Sequence, residues 1–167
     1  MLKNDGIPSP EELAPITPTA ARFEKGPIAL IECFQDIPCD PCVGSCPKHA
    51  ITMKDGITDK PHLDADQCIG CGLCVAKCPG LAIFILDMAY SPRYAKLSLP
   101  YEILPAPKVG DVVQGLDRTG KAVCEVKVLK VVTGKQFDHT HVVTVELPKS
   151  QAMNVRGIKV PPKGKGK

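Results

Sequence analysis

The chain lacks most of the residues that fill large apolar cores. It has 167 residues but no Trp, and aromatic residues make up only 4% of it. It also contains 17 Pro and 14 Gly residues, which interrupt regular secondary structure. We therefore expect one or two small domains, at least one of which would be only marginally stable through apolar burial alone.

Several functional signatures are also missing. The apolar runs 28–31 and 82–86 are far too short to cross a bilayer, so we expect no membrane span. The sequence has no Gly-rich nucleotide loop, no nucleophile beside a base and no recognisable carboxylate pair, so we do not expect the chain to catalyse a reaction alone. Residues 1–6 do not resemble a signal peptide, which favours a cytoplasmic location with reduced thiols.

The positive charge of the chain is modest and partly local. The formal net charge is +3. Four lysines of a Pro/Gly-rich tail contribute to it: Lys159, Lys163, Lys165 and Lys167. Such a tail is typical of a solvated, disordered segment. Since no aromatic or structured basic motif accompanies it, we expect no nucleic-acid binding.

Cysteine is the residue that stands out, because eight of the nine cysteines form two runs. The run from Cys68 to Pro79 has the spacing C-x2-C-x2-C-x3-C-P. That spacing is typical of bacterial iron–sulfur proteins, in which three thiolates on one loop bind one cluster and the fourth binds another. The run therefore predicts a partner run elsewhere in the chain.

A partner run lies upstream and repeats the first at a constant offset. The repeat pairs Cys39 with Cys71, Cys42 with Cys74 and Cys46 with Cys78, each 32 residues apart. One position breaks the register. The residue that matches Cys68 is Asp36, and the remaining thiol, Cys33, lies three residues earlier. The two runs indicate an internal duplication.

Exchange of the fourth cysteine between the runs predicts two ligand sets. The first thiol set is Cys46, Cys68, Cys71 and Cys74. The second thiol set is Cys33, Cys39, Cys42 and Cys78. Two alternatives to Cys33 stay open, namely Asp36 as an oxygen ligand and a three-iron cluster with that corner empty. Two oxidised four-iron clusters, each carrying about −2 with its thiolates, would bring the net charge to roughly −1.

Zinc and disulfide bonds explain these cysteines less well. Zinc ribbons use separated C-x2-C pairs, and a tetrahedral zinc site needs neither the third close thiolate nor the proline of these runs. Disulfides would require an oxidising compartment, which the sequence does not indicate.

The ninth cysteine and two histidines are predicted to have no metal-binding role. Cys124 shares a strand face with Val126 and Val128, so we interpret it as a core residue. His139 and His141 could share a face, but no cysteine or carboxylate ligand accompanies them. We interpret both as surface residues.

The chain divides into four predicted regions and an α+β fold class. Residues 1–26 are Pro-rich and predicted to form an extended arm. Residues 27–99 hold both cysteine runs, with short strands and with helical turns after Cys42 and Cys74. Residues 100–158 alternate apolar and polar positions, which predicts a small antiparallel β domain, either barrel or sheet. Residues 159–167 form the basic tail.

Through its eight clustered cysteines, the segment 28–88 resembles a bacterial-type dicluster 4Fe-4S ferredoxin domain. With residues 31–39 before the clusters and a β-rich region after them, the whole chain resembles the small iron–sulfur subunit of flavin-dependent amino-acid dehydrogenase complexes of the proline or hydroxyproline type. This resemblance implies two 4Fe-4S clusters, FAD-containing dehydrogenase subunits as partners in a hetero-oligomer, and relay of single electrons rather than catalysis.

Two other functions are compatible with the sequence. The chain could be a free soluble dicluster ferredoxin that serves several oxidoreductases, with the β-rich region as an accessory module. Alternatively, it could be a structural scaffold whose clusters only stabilise the fold.

Overall fold

The computed structural model describes residues 2–137 and 139–161. Short helices alternate with antiparallel strands, which confirms the predicted mixture of helix and sheet. The predicted tail at 159–167 lies mostly outside the described residues, since only its first three residues are within them. Within the described residues, no helix is long and apolar enough to cross a membrane.

The N-terminal region contains short helices where the sequence predicted an extended arm. They are α1 (Leu2–Asp5), α2 (Pro10–Leu13), a 3-10 turn (Ala14–Ile16) and α3 (Ala20–Glu24). Pro10 occupies the first turn of α2, where its missing N–H costs nothing. Ser9 and Glu12 form a capping box, and Thr19 caps α3 by accepting from the backbone N–H of Arg22. The prolines therefore begin helices here instead of preventing them.

The cysteine-containing part follows with four strands and two helices. They are β1 (Ile28–Ile31), α4 (Pro41–Ser45), β2 (Ile51–Thr52), β3 (His62–Leu63), α5 (Leu73–Lys77) and β4 (Ile83–Asp87). β1 pairs with β4, β2 pairs with β3, and α4 contacts α5.

The C-terminal part extends the β1–β4 pair into a larger sheet. Its strands are β5 (Tyr94–Tyr101), β6 (Val112–Leu116), β7 (Ala122–Val132), β8 (His141–Pro148) and β9 (Gly157–Lys159). The sheet is antiparallel, with the order β1-β4-β5-β8-β7-β6-β9. The predicted boundary between residues 99 and 100 therefore falls inside β5, and the predicted tail begins on the last residue of β9. β5 continues through Pro100 because Ala95, Leu97, Leu99 and Tyr101 alternate into a buried face.

Two apolar cores share the strands β1 and β4. Leu30, Phe84 and Leu86 pack into the larger core, together with apolar side chains of β5 to β9. Ile31 and Ile83 point the other way, into a second core that contains parts of α4 and α5. Successive residues of a strand face opposite sides, so a strand covered on both sides reads as a continuous apolar run. The sheet thus joins the two predicted domains through common strands.

An ion-pair network joins the two ends of the sheet. Glu32, directly after β1, accepts from Arg118 Nε at 2.8 Å and from Arg156 Nε at 2.6 Å. Arg118 lies in the turn between β6 and β7, and Arg156 directly precedes β9. Because β1 and β9 are the outermost strands, these contacts mean that the sheet curls until its edges approach each other. The C-terminal region, predicted to be either a barrel or a sheet, is part of a curled sheet whose two edges are joined by the ion pairs of Glu32.

Candidate metal centres

The first thiol set surrounds a cavity beside α5, here called the first cavity. All four members line it: Cys46, Cys68, Cys71 and Cys74. Cys68 and Cys71 lie on the loop before α5, Cys74 lies in the first turn of that helix, and Cys46 directly follows α4. Cys71 is exposed and Cys74 is buried, so the cavity reaches from the protein surface to the second core.

Glycine shapes the loop around the first cavity. Gly70 and Gly72 have φ angles of +64° and +83°, which residues with a Cβ rarely adopt. A Cβ on Gly70 would also lie 2.6 Å from the Cβ of Pro27. The backbone of the loop therefore packs directly against the segment before β1, which brings the cysteines of the loop against that strand.

The second thiol set surrounds another cavity, here called the second cavity. Its members line it together: Cys33, Cys39, Cys42 and Cys78. Cys42 lies in the first turn of α4, and Cys78 directly follows α5. Cys33 enters from the loop after β1, despite the three extra residues in its run. The structure therefore brings all eight predicted cysteines into the two predicted groups.

Asp36, the alternative to Cys33, is exposed and does not line the second cavity, although its neighbours Gln35 and Ile37 do. Its side chain is 73% exposed, and its Oδ1 is 3.4 Å from the Nζ of Lys60. Asp36 is not among the residues that line the second cavity, whereas Cys33 is. This placement favours the thiol as the fourth ligand.

The chain following each thiol run repeats the same backbone geometry. Cys46 and Cys78 have nearly the same dihedral angles, with φ and ψ of −84° and 108° against −80° and 109°. Three residues later, His49 and Leu81 are the two non-glycine residues with positive φ in the described chain, at 50° and 52°. This repeat supports the internal duplication that the cysteine spacing indicates.

Backbone N–H groups approach three of the sulfur atoms. Ala50 N lies 3.3 Å from Cys46 Sγ, and Ala82 N lies 3.4 Å from Cys78 Sγ, at equivalent positions of the repeat. The free edge of β1 supplies the third donor, since Ala29 N lies 3.5 Å from Cys68 Sγ. Such bonds stabilise negative charge on sulfur. These three N–H groups lie outside α4 and α5, whereas the backbone N–H of Val43, which lies within α4, also favours the ionised form of Cys42.

Burial makes the thiols hard to ionise in the absence of a bound cation. Desolvation, followed by repulsion from Cys78, Cys39 and Cys33, raises the pKa of Cys42 to about 11. Desolvation and the neighbouring thiols of the first set raise the pKa of Cys74 to about 12. Since metals bind thiolates, a positively charged metal centre is what would compensate for four thiolates crowded around each cavity.

The arrangement of thiols fits a cluster better than a single ion. A tetrahedral zinc site with Zn–S bonds of about 2.3 Å would draw its thiolates to within about 4 Å of one another. Among residues 2–137 and 139–161, no group of three or more Cys, His, Asp or Glu side chains is placed to hold one metal ion. The thiols instead surround a cavity, as they do around an iron–sulfur cubane that takes one thiolate at each iron.

Cys124 and the histidines at 62, 139 and 141 are not among the residues that line the two cavities. Cys124, on β7, packs against the larger core, as its strand pattern predicted. His141 begins β8, and His139 lies in the turn before it. His62 is on β3, where its Nε2 is 3.6 Å from Asp59. None of these four residues lines either cavity.

One residue close to the first cavity was missed by sequence reasoning. Arg22, in α3, donates to the carbonyl oxygen of Cys68 at 2.7 Å. The two residues are 46 positions apart, and an arginine in a Pro-rich segment carries no motif that would reveal the contact.

Comparison with known proteins places an iron–sulfur domain on this part of the chain. A family model described as a 4Fe-4S dicluster domain matches residues 37–82, which is 46 of the 167 residues. The match includes the whole first thiol set and three members of the second, while Cys33 lies four residues before it. No curated protein and no solved structure matches the chain. The match supports a 4Fe-4S dicluster domain at residues 37–82, which indicates 4Fe-4S clusters as cofactors and fits electron transfer rather than catalysis.

Proposed function

We propose that this chain is an electron-transfer subunit of a flavin-dependent amino-acid dehydrogenase complex. It would relay single electrons through two 4Fe-4S clusters, one held by the first thiol set and one by the second. The observation that carries the proposal is the grouping of eight thiols, four around each of two neighbouring cavities.

The two helices explain why the cavities lie close together. α4 carries Cys42 of the second set, and Cys46 of the first set follows at its end. α5 carries Cys74 of the first set, and Cys78 of the second set follows at its end. A helix rises about 1.5 Å per residue, so four residues separate such ligands by only about 6 Å along its axis. Short separation between centres is what an electron relay requires.

Each part of the site has a role in this proposal. The clusters would supply reversible one-electron chemistry, while the protein fixes their positions and adjusts their potentials. The N–H groups of Ala29, Ala50 and Ala82 stabilise charge on sulfur. Exposed Cys71 gives the first cavity a surface position for electron exchange, and buried Cys42 and Cys74 limit access of water to the sulfurs.

The regions outside the dicluster domain support membership of a complex. The N-terminal helices and β5 to β9 add structure beyond what two clusters need, and several apolar side chains are exposed on the loop between β5 and β6. Among them, Ile103 is 66% exposed, Leu104 is 83% exposed and Val109 is 65% exposed. Exposed apolar side chains grouped in this way are typical of protein interfaces. The proposal places the complex in the cytoplasm, where thiols stay reduced.

Isolation of the native complex tests this function. We expect the chain to purify anaerobically with stoichiometric FAD-containing subunits, and its clusters to be reduced during turnover of an amino-acid substrate, as followed by electron paramagnetic resonance. A stable holo-monomer without such subunits would instead identify a free ferredoxin. Clusters that stay oxidised throughout turnover would identify a purely structural role.

A further inference from the structure

Arg22 is a buried cation that has no carboxylate partner among the described residues. It is only 8% exposed, although arginine is rarely buried in proteins unless its charge is compensated. Within the part of the chain that the structure describes, the hydrogen bonds of its guanidinium group all go to backbone carbonyl oxygens. The nearby acid Asp66 pairs instead with Lys25, at an exposed position.

The carbonyl partners of Arg22 lie on the segment that leads to Cys68, which lines the first cavity, and on residues 26–27, against which the loop of Gly70 packs. Nε donates to Ala65 at 2.6 Å and Nη2 donates to Cys68 at 2.7 Å. Nη1 and Nη2 also donate to Gly26 and Pro27, at 3.2 Å each. The guanidinium is therefore fixed against the loop that carries Cys68, a member of the first thiol set.

The four backbone carbonyl groups that bind Arg22 carry no net charge, so they do not neutralise the positive charge of its guanidinium group. Burial of a charge costs free energy unless an opposite charge or good hydrogen bonds offset it. A 4Fe-4S cluster with four thiolates carries about −2 when oxidised and one further negative charge when reduced. A cluster in the first cavity would supply the missing negative charge.

We propose that Arg22 is the counter-charge of the first cluster and raises the reduction potential of that cluster. This inference rests on the proposed function, because it requires a 4Fe-4S cluster at the first thiol set. A fixed positive charge favours the reduced form, which is the more negative one, so electrons are held more strongly at the first cluster than they would be without Arg22.

The second cavity has no equivalent buried cation among the described residues. Its neighbouring base, Lys60, is 49% exposed and pairs with Asp36. Solvent and the carboxylate both weaken the field of that lysine. Arg22 is bound to Cys68 of the first thiol set, and none of its four carbonyl partners lines the second cavity, so we expect its effect mainly at the first cluster.

A redox titration of the holo-protein tests the assignment. Arg22→Gln removes the charge and keeps a donor, Arg22→Lys keeps the charge, and Lys25→Gln removes an exposed charge three residues away as the matched control. Midpoint potentials would be followed anaerobically by electron paramagnetic resonance, with Cys33→Ser used to identify the signal of the second cluster.

We expect Arg22→Gln to lower the potential of the first cluster and leave that of the second unchanged. Arg22→Lys should restore most of the shift, and Lys25→Gln should cause little.

Other outcomes would overturn the assignment. An unchanged potential in Arg22→Gln, or equal shifts of both clusters, would show that Arg22 only ties α3 to the loop. If the Arg22→Gln protein does not retain the first cluster, the Arg22→Lys protein tests the proposal instead. A first cluster that stays bound in Arg22→Lys, with a potential near that of the wild type, would support the role of Arg22 as a counter-charge. Loss of the first cluster in Arg22→Lys would contradict that role. Wild-type protein without two 4Fe-4S signals would refute the proposed function itself, before any variant is compared.

Discussion

The Nε of Arg156 lies 2.6 Å from Oε1 of Glu32, although 124 residues separate them in sequence. The Glu32 side chain is 11% exposed and that of Arg156 only 4%. Burial by itself would raise the pKa of Glu32, but hydrogen bonds and charge from Arg118 and Arg156 bring it below its ordinary value. The carboxylate therefore stays ionised between two arginines and connects opposite ends of the sheet.

Glu32→Gln should lower the thermal unfolding midpoint of the holo-protein. The substitution leaves two largely buried arginines without their carboxylate, a loss of about 3 kcal/mol, which corresponds to roughly 6 to 12 °C in a chain of this size. Lys25→Gln, which removes one side of an exposed ion pair, is the control and should shift the midpoint by less than about 3 °C. Equal shifts in the two variants would show that the network does not hold the sheet closed.

Cys33→Ser should damage the second cluster and spare the first. Cys33 lines the second cavity with Cys39, Cys42 and Cys78, so the variant leaves one iron without its thiolate. Iron content and electron paramagnetic resonance spectra would show loss or conversion of one cluster. Asp36→Asn and Cys124→Ala are the controls, and both should retain two intact clusters. If Asp36→Asn disturbs the second cluster while Cys33→Ser does not, the fourth ligand is the carboxylate.

Gly70→Ala should reduce occupancy of the first cluster. The added Cβ would meet Pro27 at 2.6 Å, so the loop with Cys68 and Cys71 must move away from β1. Gly120→Ala is a matched control, since its φ of +80° is similarly unfavourable but, apart from its two chain neighbours, no described residue has a heavy atom within 4 Å of the new Cβ. We expect that control to keep its iron and to lose only about 1 kcal/mol of stability. Full iron content in Gly70→Ala would contradict this account of the loop.

Removal of iron should unfold one side of the protein before the other. The second core includes six of the cysteines that line the cavities, whereas the larger core contains none of them. After anaerobic chelation, amide hydrogen exchange should become fast in α4, α5 and the cysteine loops. Protection should persist in β7 and β8, whose residues Val128, Val143 and Val145 are fully buried in the larger core. Equal loss of protection in all these elements would show that the clusters support the whole fold.

The cysteine groups were predictable from sequence because they depend on short spacings. Cys68, Cys71 and Cys74 lie within seven residues, and the repeat at an offset of 32 predicts the exchange of Cys46 and Cys78. Several strands were also predictable from short local patterns. Residues 28–31 form a continuous apolar run, and residues 112–116 precede a recognisable turn. Local pattern is sufficient in these cases.

Contacts between distant segments were not predictable in the same way. Nothing near Arg22 in the sequence reveals that it reaches Cys68, and nothing near Glu32 reveals its two arginine partners. The β5 strand was missed because Pro100 and the prolines after it indicate an interruption, whereas the pairing of β5 with β4 and β8 maintains the strand. These features depend on contacts between residues that are far apart in the chain, and no local pattern in a single sequence reveals such contacts.

The double burial of β1 and β4 means that the cluster-binding half is not a portable module. A fragment that ends at residue 99 would keep most of β5 but lose β6 to β9, and the apolar faces of Leu30, Phe84 and Leu86 would then meet water. Transplanting these two clusters into another protein would require the whole curled sheet to be carried with them. Evolution of either half is constrained by the other, because a change in the shape of one strand alters the packing on both of its faces.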